Sequence, residues 1–363
     1  MDKCRKYLFT IRSLTGGGAE RVVCVLTSRL AEDGYDVSII TYERSEHDYP
    51  ISDKVKIYCM PKAQDNLLGK AARVRDMRRL ILQIQPDVII PFVGTVQYVT
   101  WLASLKERTP LIRTVRNSPW EDCKDGMAKI FDNSMYRYAK AIMVQNEEQI
   151  EFFDKKLRSK IFVVPNPIDD LFVEKSKRHY SDRIERIVTA GRLVPQKNHP
   201  LLIQAFAQVA SKHPEIRLEI YGRGPEENKL KDLIRQLGLE DKCMLRGRAD
   251  NISDILTQAD LFVMSSDFEG MPNALMEAMA LGLPCISSDC KTGPKTLIRQ
   301  HQTGMLFPTG DCSALAECLE QAMGNPERMN RMGKAAREHI LENYAAEKAV
   351  VHAKKMFEYL QSL

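Results

Sequence analysis

Short apolar runs alternate with longer amphipathic stretches along most of this chain. In the first half, the runs at residues 7–11, 37–41, 55–60, 87–92, 111–115, 141–145 and 161–164 predict strands. Residues 19–33 and 70–85 have helical periodicity and end at Gly34 and before Pro86. Near-continuous apolar strands that alternate with helices are typical of a parallel sheet covered on both faces.

The same pattern starts again in the second half, with apolar runs at residues 186–190, 218–221, 244–246, 261–264 and 285–287. We therefore expect an α/β protein with two doubly wound domains, residues 1–172 and 186–344, joined by a charged linker at 173–185. Residues 345–363 predict a final helix that can pack back on the first domain. Tandem domains of this type bind ligands at the carboxyl ends of their strands, here in a shared cleft.

The composition indicates which kinds of ligand and which cellular compartment to expect. A chain of 363 residues with net charge +5 favours anionic partners, without the basic density of a nucleic-acid-binding protein. Nine scattered cysteines without a CxxC pair are typical of a reducing compartment. The sequence has no apolar run long enough for a membrane span or a signal peptide, so we expect a cytoplasmic protein.

Two glycine-rich loops are candidate phosphate sites. The first contains Gly16, Gly17 and Gly18 and precedes a helix, where backbone amides can approach an anion. A tight strand-to-helix turn explains it equally well. The second contains Gly222 and Gly224. Neither loop has the GxGxxG or GxxxxGK[ST] spacing, which disfavours a nicotinamide dehydrogenase and a P-loop NTPase.

Two cations follow the strand at residues 186–190. Arg192 and Lys197 lie in the loop GRLVPQKN, at the expected carboxyl end of that strand. A pair of cations there suits a diphosphate, which keeps its negative charge when the bond to its substituent breaks.

Two glutamates of the segment 265–280, Glu269 and Glu277, lie on either side of a predicted helix start. Pro272 suits the first turn, so the amides of Asn273 and Ala274 would lie at the positive helix end. Glu269 precedes this helix, and Glu277 lies within it among apolar neighbours. Vicinal sugar hydroxyls would satisfy such carboxylates, whereas helix capping and a structural salt bridge are the alternatives. Together with the two cations, the set favours a nucleotide-diphosphate sugar.

These segments resemble the retaining nucleotide-sugar glycosyltransferases of family 4, which have the GT-B fold of two Rossmann-like domains facing across a cleft. The match includes GGAER from Gly17, VVPNPID from Val163, GRLVPQKN from Gly191, YGRGP from Tyr221, the E-x7-E element from Glu269 to Glu277, and GMLFPTGD from Gly304. The order and spacing of these motifs make the resemblance specific.

The resemblance implies a role for each matching position. Arg192 and Lys197 would hold the diphosphate and stabilise the leaving group, Glu269 would face the donor sugar, and Glu277 would bind the ribose. The donor-binding set that it implies comprises Gly17, Gly18, Arg192, Lys197, Gly222, Arg248, Glu269, Gly270, Met271, Pro272, Asn273, Ala274 and Glu277.

The family also implies a reaction. It retains anomeric configuration, uses no protein nucleophile and needs no divalent metal or other cofactor, and this sequence contains no Asp-x-Asp element. The expected co-substrate is a nucleotide sugar, with a UDP-linked hexose or N-acetylhexosamine as the donor. The expected acceptor is a saccharide on a lipid diphosphate, used for capsule, exopolysaccharide or another surface glycan.

One departure from the family concerns the first domain. Many members have a His at the end of a strand there, but this chain has no His between His47 and His179. Arg116 or Asn117 occupies the comparable place and is a candidate catalytic residue. Arg116 could instead be a structural ion-pair partner.

The helix at residues 70–80 is densely basic, with Val74, Met77, Leu80 and Ile81 on its other side. Two interpretations stay open: contact with the anionic cytoplasmic face of a membrane, or a solvated face above a buried apolar stripe.

Two alternative functions share parts of this pattern. A nucleotide-sugar epimerase can have the same two-domain architecture, but it needs acid and base side chains that the first domain offers sparsely. A catalytically inactive homologue would be expected to lose some of the four charged residues Arg192, Lys197, Glu269 and Glu277, and all four are present.

Overall fold

The chain forms two compact units, Met1–Pro167 with Ala346–Leu363, and Ile168–Ala345. The computed structural model describes residues 5–64, 66–122, 126–175, 180–249 and 251–362. Each unit is an α/β domain with its own buried core.

The described part of the first unit contains seven parallel strands. They are β1 Lys6–Ile11, β2 Asp36–Thr41, β3 Lys56–Cys59, β4 Val88–Pro91, β5 Ile112–Thr114, β6 Ala141–Val144 and β7 Ile161–Val163. Their order is β3-β2-β1-β4 and β5-β6-β7, and a parallel bridge between Ile89 and Leu111 joins β4 to β5. The direction of strand succession reverses at β1, as in a doubly wound sheet.

The helices of this unit lie between its strands. They are α1 Gly18–Glu32, α2 Leu67–Ile84, α3 Gly94–Ser104, α4 Pro119–Asp122, α5 Gly126–Tyr138 and α6 Lys155–Arg158, with a 3₁₀ turn at Glu147–Phe152. Helix α2 begins three residues before the expected start because the side chain of Asn66 accepts a hydrogen bond from the Gly69 amide at 2.8 Å.

The second unit has a six-stranded parallel sheet in the order β10-β9-β8-β11-β12-β13. Its strands are β8 Arg186–Ala190, β9 Arg217–Tyr221, β10 Cys243–Gly247, β11 Leu261–Met264, β12 Cys285–Ser288 and β13 Met305–Phe307. Strand β13 was not expected, since three residues are too few for a recognisable apolar period.

Eight helices accompany these strands in the described part of the unit. They are α7 Asp170–Glu174, α8 His199–Ala210, α9 Glu227–Gln236, α10 Ile252–Thr257, α11 Asn273–Ala280, α12 Pro294–Leu297, α13 Cys312–Gly324 and α14 Pro326–Tyr344, with a 3₁₀ turn at Pro195–Lys197.

The boundary between the units differs from the expected one. The second unit starts at Ile168, whose amide donates to the Tyr344 carbonyl at 2.8 Å, and Phe172 is fully buried in the same core. The charged composition of 173–185 suggested a linker, but buried apolar contacts place the boundary at 167/168 instead of 172/173. Residues 176–179 of that segment lie outside the described part.

The last helix, α15 Ala346–Ser362, belongs to the first unit. The Phe357 ring packs 4.2 Å from the Tyr7 ring, and His352 Nδ1 lies 3.0 Å from the Val163 carbonyl. Strand β1 and helix α15 are therefore parts of one core, although they lie at opposite ends of the sequence.

The expectation of two doubly wound α/β domains is confirmed. Over the described residues, no helix combines the length and apolar character required to cross a bilayer. Of the seven cysteines described as free, five are buried, which agrees with their interpretation as small apolar residues.

Candidate functional site

Most of the predicted donor residues of the second unit lie in loops at the carboxyl ends of four neighbouring strands, and the others lie in helix α11. Arg192 and Lys197 follow β8, Gly222 follows β9, Arg248 follows β10 and Glu269 follows β11. Because these strands are adjacent and parallel, their loops meet at one edge of the sheet.

The backbone of the loop after β9 packs directly against the backbone of the loop after β8. Gly222 has φ 154°, and a Cβ built on it would lie 1.8 Å from the Gly191 carbonyl oxygen. A Cβ on Gly224 would lie 2.2 Å from the Leu193 carbonyl oxygen, and the Leu193 amide donates to the Arg223 carbonyl at 2.9 Å. The YGRGP motif therefore needs its glycines for loop contact, which its spacing alone did not reveal.

Lys197 and Glu269 form an ion pair at the centre of this edge. Lys197 Nζ lies 2.5 Å from Glu269 Oε1, and the exposed fractions of the two side chains are 18% and 8%. The aliphatic stem of Lys197 passes Gly191, where a Cβ would lie 3.4 Å from its Cδ and Cε. A cation and a carboxylate predicted to contact different parts of a donor are thus in direct contact with each other.

Further hydrogen bonds hold the loops after β8 and β11 together. Gln196 Nε2 donates to the Phe268 carbonyl at 2.8 Å, and Asn198 Nδ2 donates to Asp267 Oδ1 at 2.7 Å. The Asp267 amide in turn donates to the Gln196 carbonyl at 2.9 Å. These contacts fix the backbone on both sides of the ion pair.

The carbonyl of Glu269 is held from the opposite side by the loop after β12. The Thr292 hydroxyl donates to it, and both residues are buried. Gly293 has φ 95°, and a Cβ there would lie 2.7 Å from the Gly270 carbonyl oxygen and 2.8 Å from Pro272 Cδ. Thr292 and Gly293 were missed in the sequence, although the Gly-Pro dipeptide before α12 is a turn signal.

Helix α11 presents its first amides beside this loop. Pro272 is the residue before the helix, with φ −76° and ψ 103°, so the helix begins at Asn273, one position later than the proline suggested. Asn273 and Ala274 are part-buried, whereas Gly270 and Met271 are buried. Glu277 lies just over one turn into the helix and is only 7% exposed.

Arg192 is exposed, and its backbone is held by a buried histidine. His199 Nε2 lies 3.3 Å from the Arg192 carbonyl oxygen and must carry the proton that this contact requires. Burial lowers the pKa of His199 to about 4, so the ring is neutral near pH 7. Arg248, at the other side of the edge, is also exposed.

The glycine loop of the first unit leads directly into helix α1. Gly17 is the N-cap residue of α1, and a Cβ on it would lie 2.1 Å from Glu20 Oε2. The Glu20 carboxylate thus lies over the helix end formed by Gly17 and Gly18, where it complements the positive dipole. A phosphate at this end would compete with that carboxylate.

Arg116 and Asn117 differ in their surroundings. Arg116 Nη2 donates to Asn166 Oδ1, its guanidinium lies 4.9 Å above the Phe92 ring, and its buried Nε and Nη1 have no hydrogen-bond partner among the described residues. Asn117 Nδ2 instead donates to Asp122 Oδ1 at 3.1 Å. Burial lowers the pKa of Arg116 to about 9.

The structure brings some of the predicted site residues of each unit together. In the second unit it brings Lys197 and Glu269 into contact, with Arg192 in the same loop as Lys197, and it places Glu277 within α11. Arg116 and Asn117 lie together after β5 in the first unit. Sequence reasoning missed Gln145 and Asn166, which follow β6 and β7, although Asn166 is part of the VVPNPID motif.

Two family models match the chain, one on each half. The model of Glycosyltransferase Family 4 matches residues 16–170, and the model of Glycosyl transferases group 1 matches residues 173–339. Together they cover both units.

Curated relatives and solved structures agree with these matches. An uncharacterized glycosyltransferase, MJ1059, of Methanocaldococcus jannaschii is 34% identical over 62% of this chain and 61% of its own length. An undecaprenol-diphosphate-glycan alpha-1,4-N-acetyl-D-galactosaminyltransferase of Campylobacter jejuni is 26% identical over 88% of this chain and 89% of its own. The crystal structure of Anabaena Alr3699/HepE in complex with UDP-glucose has a TM-score of 0.81 at 18% identity, covering 99% of this chain and all of that one. The chain therefore belongs to glycosyltransferase family 4, and it has the GT-B fold.

Proposed function

We propose that this enzyme transfers a hexose or N-acetylhexosamine from a UDP-linked donor to a saccharide carried on a lipid diphosphate, with retention of configuration and without a metal ion. The observation that carries the proposal is the Lys197–Glu269 pair, at 2.5 Å, beside Arg192 and the first amides of α11. The product would be a capsule, an exopolysaccharide or another lipid-linked surface glycan made at the cytoplasmic face of the membrane.

The ion pair would allow Lys197 to change its partner from the Glu269 carboxylate to the diphosphate of a bound donor. Without a donor, each charge is compensated by the other, which lowers the cost of burying both. A diphosphate would compete for the ammonium of Lys197, since it offers more negative charge than one carboxylate. Glu269 would then be able to accept hydrogen bonds from hydroxyls of the donor sugar.

The chemistry follows from where the charge develops. As the bond between the anomeric carbon and the diphosphate oxygen breaks, its electron pair stays on the diphosphate. Lys197, Arg192 and the α11 amides would stabilise that charge, which takes the place of a metal ion. The acceptor hydroxyl bonds to the anomeric carbon on the face that the diphosphate leaves and gives its proton to the departing diphosphate. No protein nucleophile takes part.

The known proteins support this substrate class. The Campylobacter jejuni relative acts on a glycan attached to undecaprenol diphosphate, and the Anabaena structure contains UDP-glucose. A Staphylococcus aureus structure with a TM-score of 0.79 contains UDP and alpha-GlcNAc-glycerol. These names are the basis for the choice of UDP and of a saccharide acceptor.

The test measures sugar transfer to a lipid-diphosphate saccharide in Lys197→Met, Glu269→Gln and the double variant. Each single change leaves a buried charge uncompensated, which destabilises by about 3–5 kcal/mol, whereas the double change removes both charges. We expect the double variant to unfold near the wild-type temperature but to have at least about 100-fold lower kcat. Lys212→Met is the control, because Lys212 is an exposed lysine of the same unit.

Transfer within a few-fold of wild type in the folded double variant would refute the role of the pair. Full activity in EDTA is expected, and strict dependence on a divalent ion would refute the metal-independent mechanism.

A further inference from the structure

Three residues follow three adjacent strands at the carboxyl edge of the first unit. Arg116 comes after β5, Gln145 after β6 and Asn166 after β7. Gln145 and Asn166 are each 2% exposed, and Arg116 is part-buried against the Phe92 ring. The donor chemistry proposed above lies in the other unit and uses none of these three residues.

The hydrogen bonds among them fix which polar atoms remain available. Arg116 can only donate, so the Asn166 atom that it contacts must be the oxygen Oδ1. Gln145 reaches the same oxygen at 2.9 Å and must therefore present its amide nitrogen Nε2. Gln145 Oε1 then points elsewhere, and it is buried without a hydrogen-bond partner among the described residues.

The backbone around this cluster is held in place independently. Gln149 is fully buried, and its Oε1 accepts from the Gln145 amide at 2.7 Å while its Nε2 donates to the Asn117 carbonyl at 2.9 Å. The 3₁₀ turn at Glu147–Phe152 thus connects the ends of β5 and β6. The cluster keeps its geometry without using the remaining atoms of Arg116 or Gln145.

Three buried atoms of this cluster therefore lack a hydrogen-bond partner within the described part of the chain: two donors, Arg116 Nε and Nη1, and one acceptor, Gln145 Oε1. No carboxylate in the described part of the chain is within ion-pair distance of Arg116, so its positive charge is uncompensated. Desolvation of that charge lowers the pKa of Arg116 to about 9. Each unsatisfied buried group costs free energy, which a ligand with complementary atoms would recover.

We propose that Arg116, Gln145 and Asn166 bind a glycosyl phosphate, a sugar whose anomeric oxygen bears a phosphate. The phosphate accepts from Arg116 Nε and Nη1 and supplies the missing negative charge. A neighbouring hydroxyl or amide N–H of the sugar donates to Gln145 Oε1. Asn166 orients the guanidinium. The inference rests on the proposed function only in identifying this group as part of the acceptor.

The test is calorimetric titration of the whole chain with N-acetylglucosamine 1-phosphate, in saturating UDP to occupy the donor loops. We expect binding to wild type and at least about a tenfold weaker affinity in Arg116→Gln, the effect of losing a charge-assisted contact. Arg137→Gln is the matched control, since Arg137 is an exposed arginine of the same unit. In wild type, N-acetylglucosamine should bind at least about tenfold more weakly than N-acetylglucosamine 1-phosphate, because it cannot make the charge-assisted contact with Arg116.

Asn166→Asp separates ligand binding from a structural role. The substitution keeps Oδ1 and the side-chain size, but it gives Arg116 an internal counter-charge. We expect weaker binding of the phosphate and no loss of thermal stability. If Arg116 were only structural, the affinity would not change. Equal affinity of wild type and Arg116→Gln, or of the sugar with and without phosphate, would overturn the proposal.

A second titration compares N-acetylglucosamine 1-phosphate with N-acetylglucosamine linked to a short prenyl diphosphate. If the prenyl-diphosphate-linked sugar binds more tightly and this gain is lost in Arg116→Gln, the natural ligand of the site is a lipid-linked sugar. If the two ligands bind equally, the natural ligand is a free glycosyl phosphate. Binding of the glycosyl phosphate without sugar transfer to any acceptor would refute the proposed function but not this site. Sugar transfer together with an affinity that Arg116→Gln does not change would refute this site but not the proposed function.

Discussion

At the scale of single residues, partners decide what a charged or polar group can do. Lys197 and Glu269 compensate each other at 2.5 Å, whereas Arg116 has no carboxylate partner in the described structure. In the sequence, Lys197 and Arg116 are both simply cations that follow a strand. Only the positions of their neighbours separate a paired cation from an uncompensated one.

His199 illustrates the same point for a neutral group. It is 3% exposed, its Nε2 contacts the Arg192 carbonyl, and its Nδ1 is buried without a partner among the described residues. Burial disfavours the charged ring and outweighs the contact with the Arg192 carbonyl, which by itself would favour protonation. A pKa of about 4 in the folded chain, against an ordinary value of 6.5, means that the unfolded chain binds the proton more readily.

We therefore predict a His199-dependent loss of stability between about pH 6.5 and pH 4, with little further loss below that range. The difference of pKa corresponds to about 3 kcal/mol. His199→Gln keeps a donor near Nε2 but cannot titrate. Urea unfolding across this pH range should show a flatter pH dependence for the variant than for wild type. Identical slopes would contradict the prediction.

At the scale of elements, helix α2 has two distinct faces. Met77 and Ile81 are buried in the core, and Val74 and Leu80 pack against it, which confirms the expected apolar stripe. Some of the basic residues have local partners, since Arg78 lies 2.6 Å from Glu107. The first turn lies before the residues on which the two sequence interpretations were based, and its Leu67 and Leu68 are 82% and 81% exposed.

We propose that this first turn inserts into an anionic bilayer, with the basic residues of α2 above the headgroups. Leu67→Ser with Leu68→Ser should lower flotation with phosphatidylglycerol vesicles several-fold, because apolar burial is lost. Charge reversal of the exposed Arg79 should lower it by a smaller factor. Leu237→Ser, at an exposed leucine of the second unit, is the control. Unchanged flotation of the double variant would exclude this contact.

At the scale of the whole molecule, the chain ends complete the first unit. Helix α15 places Val350, Ala353, Met356, Phe357 and Leu360 in the core that contains β1 and α1. Lys354 Nζ also lies 2.8 Å from Asp33 Oδ2 at the end of α1. The first unit therefore cannot complete its core until α15 has been synthesised.

We predict that Phe357→Ala destabilises the first unit by about 3–5 kcal/mol, as expected for removal of a buried aromatic ring. Hydrogen exchange should show faster exchange of the amides of β1 and unchanged exchange of those of β8. Val351→Ala, at a half-exposed position of the same helix, should have little effect. Equal loss of protection in both units would contradict the assignment of α15 to the first one.

The sequence by itself determined the fold class, every described strand except β13, and the motifs of the predicted donor site. Local patterns suffice for these, because a parallel strand is a short apolar run and a loop after it is marked by Gly, Pro or charge, as in GRLVPQKN and the E-x7-E element. The tertiary structure decided what depends on contacts between distant residues. These include the Lys197–Glu269 pair across 72 positions, the boundary at Ile168, the return of α15 to the first unit, and the Arg116–Gln145–Asn166 cluster. No local pattern encodes such contacts, since strand order brings together residues that the chain separates.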